Sequence, residues 1–217
     1  MSLKSILSTK KLNPEQKAQL QQAGITVTDY NAIAISFVEF DSDIIVDNAI
    51  ITSQNAAQAV LDKKVIIKNC FCVGEKTQAL LEENGQNVEK MKQNASELAK
   101  YLIKNHKNEQ FWFFCGNFRR EEIPDLFKEH NMPLKEVVVY NTALNPQKID
   151  LDFDGILFFS PSGIESFLKE NTLQEQLAFC IGQTTADALK PYKNCVIASN
   201  PTVESVLDAV IKHTKKK

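Results

Sequence analysis

Apolar positions along the chain fall into short runs, and between them lie stretches with the spacing of helices. Residues 5–8 form the first such run, after which Asn13-Pro14-Glu15-Gln16 supplies an N-cap, a proline at the first helical position and a glutamine three residues past the cap. That helix is expected to stop near Gly24. Residues 25–35 read as the next strand, 39–47 as an acidic connection and 49–51 as a third strand. Ser53 opens an alanine-rich helix, residues 65–73 read as two closely spaced strand pieces, and a helix over 77–83 stops before Gly85.

The second half keeps the same rhythm. Asn94-Ala95-Ser96-Glu97 reads as another capping box, with a helix to about Lys104. Phe111-Trp112-Phe113-Phe114-Cys115 is apolar at every position, as a strand covered by helices on both faces must be. A helix is expected from just after Gly116-Asn117 to about His130, then a strand over 136–140, and a break at Asn145-Pro146. From Gly155 strand, turn and helix recur three times: 156–159 into 162–168, 178–181 into 184–189, and 196–198 into 202–212. Such alternation predicts an α/β fold of parallel sheets flanked by helices. The order hydroxyl turn, helix, strand, glycine turn, helix occurs twice, starting at Thr52-Ser53 and at Ser160-Pro161-Ser162, so two similar α/β lobes are expected.

Several strand-to-helix turns carry small hydroxyl residues or glycine: Thr52-Ser53, Gly74 to Thr77, Ser160-Pro161-Ser162-Gly163, and Gly182-Gln183-Thr184-Thr185. Such turns leave backbone N–H groups pointing outward in front of the positive pole of a helix, and they gather at the carboxyl ends of parallel strands. The expected ligand is therefore an anion. Helix capping alone would also place hydroxyls here, because Ser162 with Glu165 and Thr184 with Asp187 have capping-box spacing. Arg119 and Arg120, the chain's only arginines, follow Gly116-Asn117 at another such turn, where one guanidinium could hold a carboxylate. Tyr140 ends its strand and could donate a hydrogen bond or a proton. Lys10 and Lys11 follow the first strand and are expected at the surface.

Composition narrows the classes. The 217 residues are 43% hydrophobic and 24% charged, with net charge −2, and show no basic aromatic-studded stripe, so nucleic acid is not an expected partner. Polar residues interrupt the N-terminal segment before a secretory core could form, and no apolar run approaches the ~18 residues of a membrane span, so a cytoplasmic location is expected. Five cysteines, odd in number and mostly inside apolar strands, read as reduced core thiols. Three histidines lie far apart with no ligand spacing, so no metal is expected. Neither nucleotide-binding glycine motif occurs. A two-lobe binding protein for a small anion and a cofactor-using α/β enzyme remain alternatives at this level.

The ordered set Cys115-Gly116-Asn117 with the following basic residues, Val139-Tyr140-Asn141-Thr142, Phe158-Phe159-Ser160-Pro161-Ser162-Gly163, Ile181-Gly182-Gln183-Thr184-Thr185-Ala186 and Ala198-Ser199-Asn200-Pro201-Thr202 resembles the uroporphyrinogen-III synthase family. The resemblance implies one lobe built from both chain ends, residues 1–37 with 146–217, and an inserted lobe, 38–145, with substrate between them. It implies a monomeric, cofactor-independent lyase that dehydrates and cyclises hydroxymethylbilane to uroporphyrinogen III while inverting ring D. Tyr140 matches the tyrosine held to assist departure of the hydroxyl. Thr52, Ser53, Gly74, Thr77, Arg119, Ser160, Ser162, Gly163, Thr184 and Thr185 are the expected substrate-binding residues. Leu7-Ser8-Thr9-Lys10-Lys11 stands where many relatives have a Thr-Arg-Pro type of turn, and Gln54-Asn55 and Gln183 replace more usual small residues or proline.

Overall fold

The computed structural model describes residues 3–149 and 152–215 and divides into two compact units, residues 1–34 with 143–217, and 35–142. The first unit is built on a five-stranded sheet whose order is β11-β10-β9-β1-β2. These strands are β1 (Ser5–Ser8), β2 (Thr26–Asp29), β9 (Gly155–Phe158), β10 (Leu177–Cys180) and β11 (Cys195–Ile197), and all four pairings are parallel. Its helices are α1 (Pro14–Gln22), α6 (Pro161–Glu170), α7 (Gln183–Asp187) and α8 (Val203–Lys215). β1 and β9, neighbours at the centre, come from opposite parts of the sequence. Apolar layers on the two faces, one around Ile6, Leu157, Phe179 and Leu207 and the other around Leu7, Ile156, Phe158 and Phe167, explain why β9 has no polar position: a strand buried on both sides has no solvent face.

A carboxylate closes the central pairing. Asp154 Oδ2, just before β9, accepts the backbone N–H of Lys4 at 2.8 Å and of Ser5 at 2.9 Å, and the Ser5 hydroxyl at 3.1 Å. These bonds, led by that from Lys4, hold the Asp154 carboxyl below its ordinary ionisation value. α1 starts as its residues dictate: the Asn13 side chain accepts the Gln16 N–H, the Gln16 side chain accepts the Asn13 N–H, and Pro14 fills the first turn.

The second unit holds a six-stranded sheet in the order β3-β8-β7-β4-β5-β6. Its strands are β3 (Ile33–Phe37), β4 (Ile45–Ile51), β5 (Ile66–Val73), β6 (Val88–Lys92), β7 (Phe111–Gly116) and β8 (Leu134–Leu144). Four helices accompany them: α2 (Gln54–Asp62), α3 (Glu75–Glu83), α4 (Ala95–Asn105) and α5 (Glu122–Glu129). β7 lies between β4 and β8, and its aromatic run serves both faces: Phe114 packs with Ala56, Val60 and Val139, while Phe111 and Phe113 pack with Leu98, Leu102 and Phe127.

Several elements differ from the pattern read along the chain. Residues 25–35 split into β2 and β3, which belong to different sheets; the break needs neither glycine nor proline, because the Tyr30 and Ala32 N–H groups turn to the carbonyls of Ser8 and Thr9. β5 is one strand whose pairing with β6 is irregular at Cys70 and Phe71. β4 begins inside the acidic connection, where Asp47 meets Lys68 at 2.7 Å. β6, Val-Glu-Lys-Met-Lys, is not among the expected strands; as the sheet's edge strand it needs no continuous apolar run. α5 begins only at Glu122, because the Asn117 side chain donates to the Thr142 carbonyl and accepts the Thr142 N–H, which holds residues 117–121 out of the helix. His106, one of the three widely spaced histidines, packs its ring edgewise on Phe71 and bonds Glu109, because the end of α4 turns it back over the aromatic layer.

All five cysteines are free, and four are buried. Burial pushes the Cys70 thiol up to about 12 and those of Cys72 and Cys115 up to about 11. The sulfurs of Cys180 and Cys195 lie 3.6 Å apart, but Cys180 pairs with Ile197 and Cys195 with Ala178. That two-residue diagonal places their Cα atoms ~8 Å apart by strand geometry, beyond the ~7 Å a disulfide tolerates.

Asp154→Ala is expected to lower unfolding free energy by about 1–2 kcal/mol at pH 7. A carboxyl whose folded-state value is depressed stabilises in full above its unfolded value near ~4, and that contribution fades as pH falls through the folded value. Urea denaturation at pH 7 and pH 3 should therefore show the wild type losing more stability on acidification than the variant.

Candidate functional site

In the second unit, the carboxyl ends of β4, β5 and β7 open onto a cleft of about 320 Å³ whose lining includes Thr52, Val73, Asn94, Gly116, Arg119, Arg120 and Tyr140. β4 ends at Ile51, leaving Thr52 half-buried on the wall and Ser53 as the N-cap of α2. The Ser53 hydroxyl oxygen accepts the Ala56 N–H at 3.1 Å, and the hydroxyl donates to the Tyr140 phenol oxygen at 3.2 Å. Tyr140 stands opposite Gly116, past a register irregularity between Cys115 and Gly116. Its ring lies across the glycine: a Cβ there would fall 2.5 Å from Cζ and 2.8 Å from the phenol oxygen. Only a residue without a side chain leaves the phenol this seat.

The two arginines, adjacent in sequence, have different surroundings. The Arg119 guanidinium is held by the Glu136 and Glu121 carboxylates, and its own backbone N–H bonds the Gly116 carbonyl. The bond to Glu136, then that to Glu121, holds the charge on Arg119 even more firmly than usual. Arg120 is exposed on the same cleft and has no ion pair among the described residues. Of the expected carboxylate contacts, Arg119 is thus the braced one and Arg120 the free cation. Phe118, 60% exposed, adds an apolar edge beside them.

Gly74 and Thr77 are placed otherwise. Gly74 has φ 84° at the start of α3, a left-handed conformation glycine adopts without strain, and its N–H donates to the Lys92 carbonyl as part of sheet pairing. Thr77 is 4% exposed, and its N–H bonds back to the Gly74 carbonyl. Neither lines the cleft around Tyr140.

In the first unit, the turn after β9 has Ser160 as the cap of α6, its hydroxyl oxygen accepting the Gly163 N–H at 3.0 Å. Ser162, expected to cap with Glu165, stands instead inside the first turn, 3.1 Å from the Ser160 hydroxyl; Pro161 at the first helical position moves the cap two residues earlier. Gly163 is buried, and a Cβ there would come 3.3 Å from the Ser160 hydroxyl and 3.7 Å from that of Thr9. After β10, Gly182 is the cap of α7 and makes no side-chain cap bond, so Thr184 is not the capping residue its spacing to Asp187 suggested. Asp187 instead bonds Gln183 and Lys190, Thr184 is exposed, and Thr185 is 3% exposed.

Asn94 and Gly116 belong to the cleft although the sequence pattern does not single them out as site residues. For Asn94 the missing signal is β6: with that strand unrecognised, the capped start of α4 does not stand out as one more turn at a strand's carboxyl end. Gly116 could be found only through Tyr140, its partner across the sheet.

The chain matches the family Uroporphyrinogen-III synthase HemD over residues 15–208. A porphyrin biosynthesis protein HemD of Ruminiclostridium josui is 27% identical over an alignment of 117 positions that covers 48% of this chain and 23% of that protein, so the chain spans under a quarter of this curated relative. The crystal structure of uroporphyrinogen-III synthetase from Helicobacter pylori is similar with TM-score 0.70 at 18% identity, covering 97% of this chain and 100% of that one. A mutant uroporphyrinogen III synthase of the extremely thermophilic bacterium Thermus thermophilus is similar with TM-score 0.69 at 14% identity, covering 99% and 100%. At such identities these two structures establish a shared fold.

Ser160→Ala is expected to cost about 0.5–2 kcal/mol in urea unfolding because it removes the cap of α6, whereas Ser162→Ala should cost under about 0.5 kcal/mol. With the family match running through most of both units, the chain belongs to the uroporphyrinogen-III synthase family.

Proposed function

We propose that the protein converts hydroxymethylbilane into uroporphyrinogen III, with loss of water and inversion of ring D, as a cofactor-independent monomer in the cytoplasm. Among the described residues no helix is long and apolar enough to cross a membrane. What carries the proposal, beside the family match, is the seat of Tyr140: a phenol held on the wall of a cleft that also contains an uncommitted guanidinium. A linear tetrapyrrole bearing acetate and propionate groups needs carboxylate receptors, and a leaving hydroxyl needs a proton donor. Arg120 suits the first task and Tyr140 the second. Thr52 lines the same cleft, whereas Gly74, Thr77, Gly163 and Thr185 have their N–H groups committed to neighbouring oxygens and serve their turns instead. Arg119 enters through its hold on the loop that carries Arg120.

The direct test incubates the protein with freshly generated hydroxymethylbilane and separates the products. The type III isomer is expected; the type I isomer alone, which forms without enzyme, would overturn the proposal.

Arg120→Ala is expected to raise KM about tenfold with little change in melting temperature, as loss of one charge-assisted contact does. Arg119→Ala should instead cost stability, about 0.5–1 kcal/mol for a partly exposed ion-pair brace, as measured by denaturant unfolding.

A further inference from the structure

We infer that Ser53 is a positioning residue for Tyr140 and not itself a carboxylate receptor: its hydroxyl donates to the phenol oxygen, so the phenol's own proton is the one presented to the cleft. This rests on the reading of Tyr140 as the proton donor.

A serine hydroxyl has one proton to give and two lone pairs. At Ser53 one lone pair takes the Ala56 N–H, which anchors the oxygen to the first turn of α2, and the proton goes to Tyr140. The phenol oxygen, receiving that bond, keeps its own hydrogen for another acceptor. Its orientation is restricted as well. The ring cannot rotate freely away from Ser53 while it lies across Gly116, where the space a Cβ would need is filled by Cζ, Cε2 and the phenol oxygen. β8 supplies the third constraint: the register irregularity beside Val139 interrupts the strand's alternation, and the Tyr140 ring packs on the same apolar layer as Val139 and Phe114, on the side where α2 begins.

The arrangement also prepares for the charge that proton donation creates. When the phenol proton passes to the substrate's terminal hydroxyl, the C–O bond breaks with its electron pair on oxygen and water departs. The phenolate left behind keeps the Ser53 hydrogen bond and faces the N-terminal pole of α2, both of which favour negative charge on its oxygen. Ring closure by substitution then releases one proton, which restores the phenol, so the cycle balances without an external acid. Sequence separation explains why this partnership is not visible along the chain: Ser53 and Tyr140 are 87 positions apart.

The test is a double-mutant cycle on the steady-state conversion of hydroxymethylbilane, using Ser53→Ala, Tyr140→Phe and the double variant. Ser53→Ala is expected to lower kcat about ten- to a hundredfold while KM stays within about twofold, and to have no further effect on kcat in the Tyr140→Phe background. Ser53→Thr, which keeps both cap and hydroxyl, should restore most of the rate. Should Ser53→Ala fail to fold, Gly116→Ala serves, because it displaces the phenol while leaving the serine intact; its kcat is expected to fall similarly. A rise in KM at unchanged kcat, or an equal loss of kcat with and without the phenol, would overturn the inference and return Ser53 to substrate binding. If Tyr140→Phe itself keeps the wild-type kcat, the proton-donor reading falls and this inference with it. If Tyr140→Phe is slow but Ser53→Ala and Gly116→Ala are not, only the role of Ser53 falls.

Discussion

The first unit depends on the parallel pairing of β1 with β9, strands separated by most of the chain. Without it β1 and β2 would be parted from β9, β10 and β11, and the apolar layers on both faces would each be divided. Two parallel strands so distant in sequence cannot be held by a tight turn, so the register must come from tertiary bonds. Asp154 supplies them, with one carboxylate oxygen reading the backbone of Lys4 and Ser5 just where β1 starts. The same pairing brings the end of β1, with Thr9, beside the turn after β9, where the Thr9 hydroxyl donates to the Leu157 carbonyl at 2.7 Å and lies next to Gly163.

The second unit solves a related problem at its own carboxyl edge. A cleft wall has to be polar where ligand meets it and still be continuous with a dry core, and Tyr140 manages both, its ring packed against the apolar layer of Phe114 and Val139 and its hydroxyl on the cleft. The aromatic ring is accommodated by what Gly116 lacks. The adjacent loop is held by backbone and side-chain bonds between Asn117 and Thr142 and by the two glutamates around Arg119, so the free guanidinium beside it projects from a fixed base. Binding groups on a braced loop lose less entropy on meeting substrate than groups on a loose one.

Much of this is legible along the chain where local chemistry decides. Asn13, Ser53 and Asn94 act as helix caps because a side-chain oxygen in front of a helix has an amide within reach whatever the rest of the molecule does. The wholly apolar β7 and β9 announce burial on both faces. Pattern and structure part where tertiary demands outweigh local ones. The run over 25–35 looks like one strand and serves two sheets; β6 looks like a loop because an edge strand tolerates charge; and Ser162, with perfect capping spacing, loses the cap to Ser160 once Pro161 takes the first helical position.

Sequence alone therefore determined the alternating α/β architecture, the positions of the turns and the set of residues from which a site could be made, since period, caps and breakers are properties of neighbouring residues. Tertiary structure decided which members of that set remain available. Arg119 and Arg120 are indistinguishable as a dipeptide, yet Glu136, 17 positions from Arg119 in the chain, takes one and leaves the other. Ser53 and Thr52 are equally small hydroxyls, yet only Ser53 meets the phenol of Tyr140. A side chain's chemistry is written in its own residue, whereas its freedom to act depends on hydrogen-bond and charge partners that only folding brings within about 3 Å.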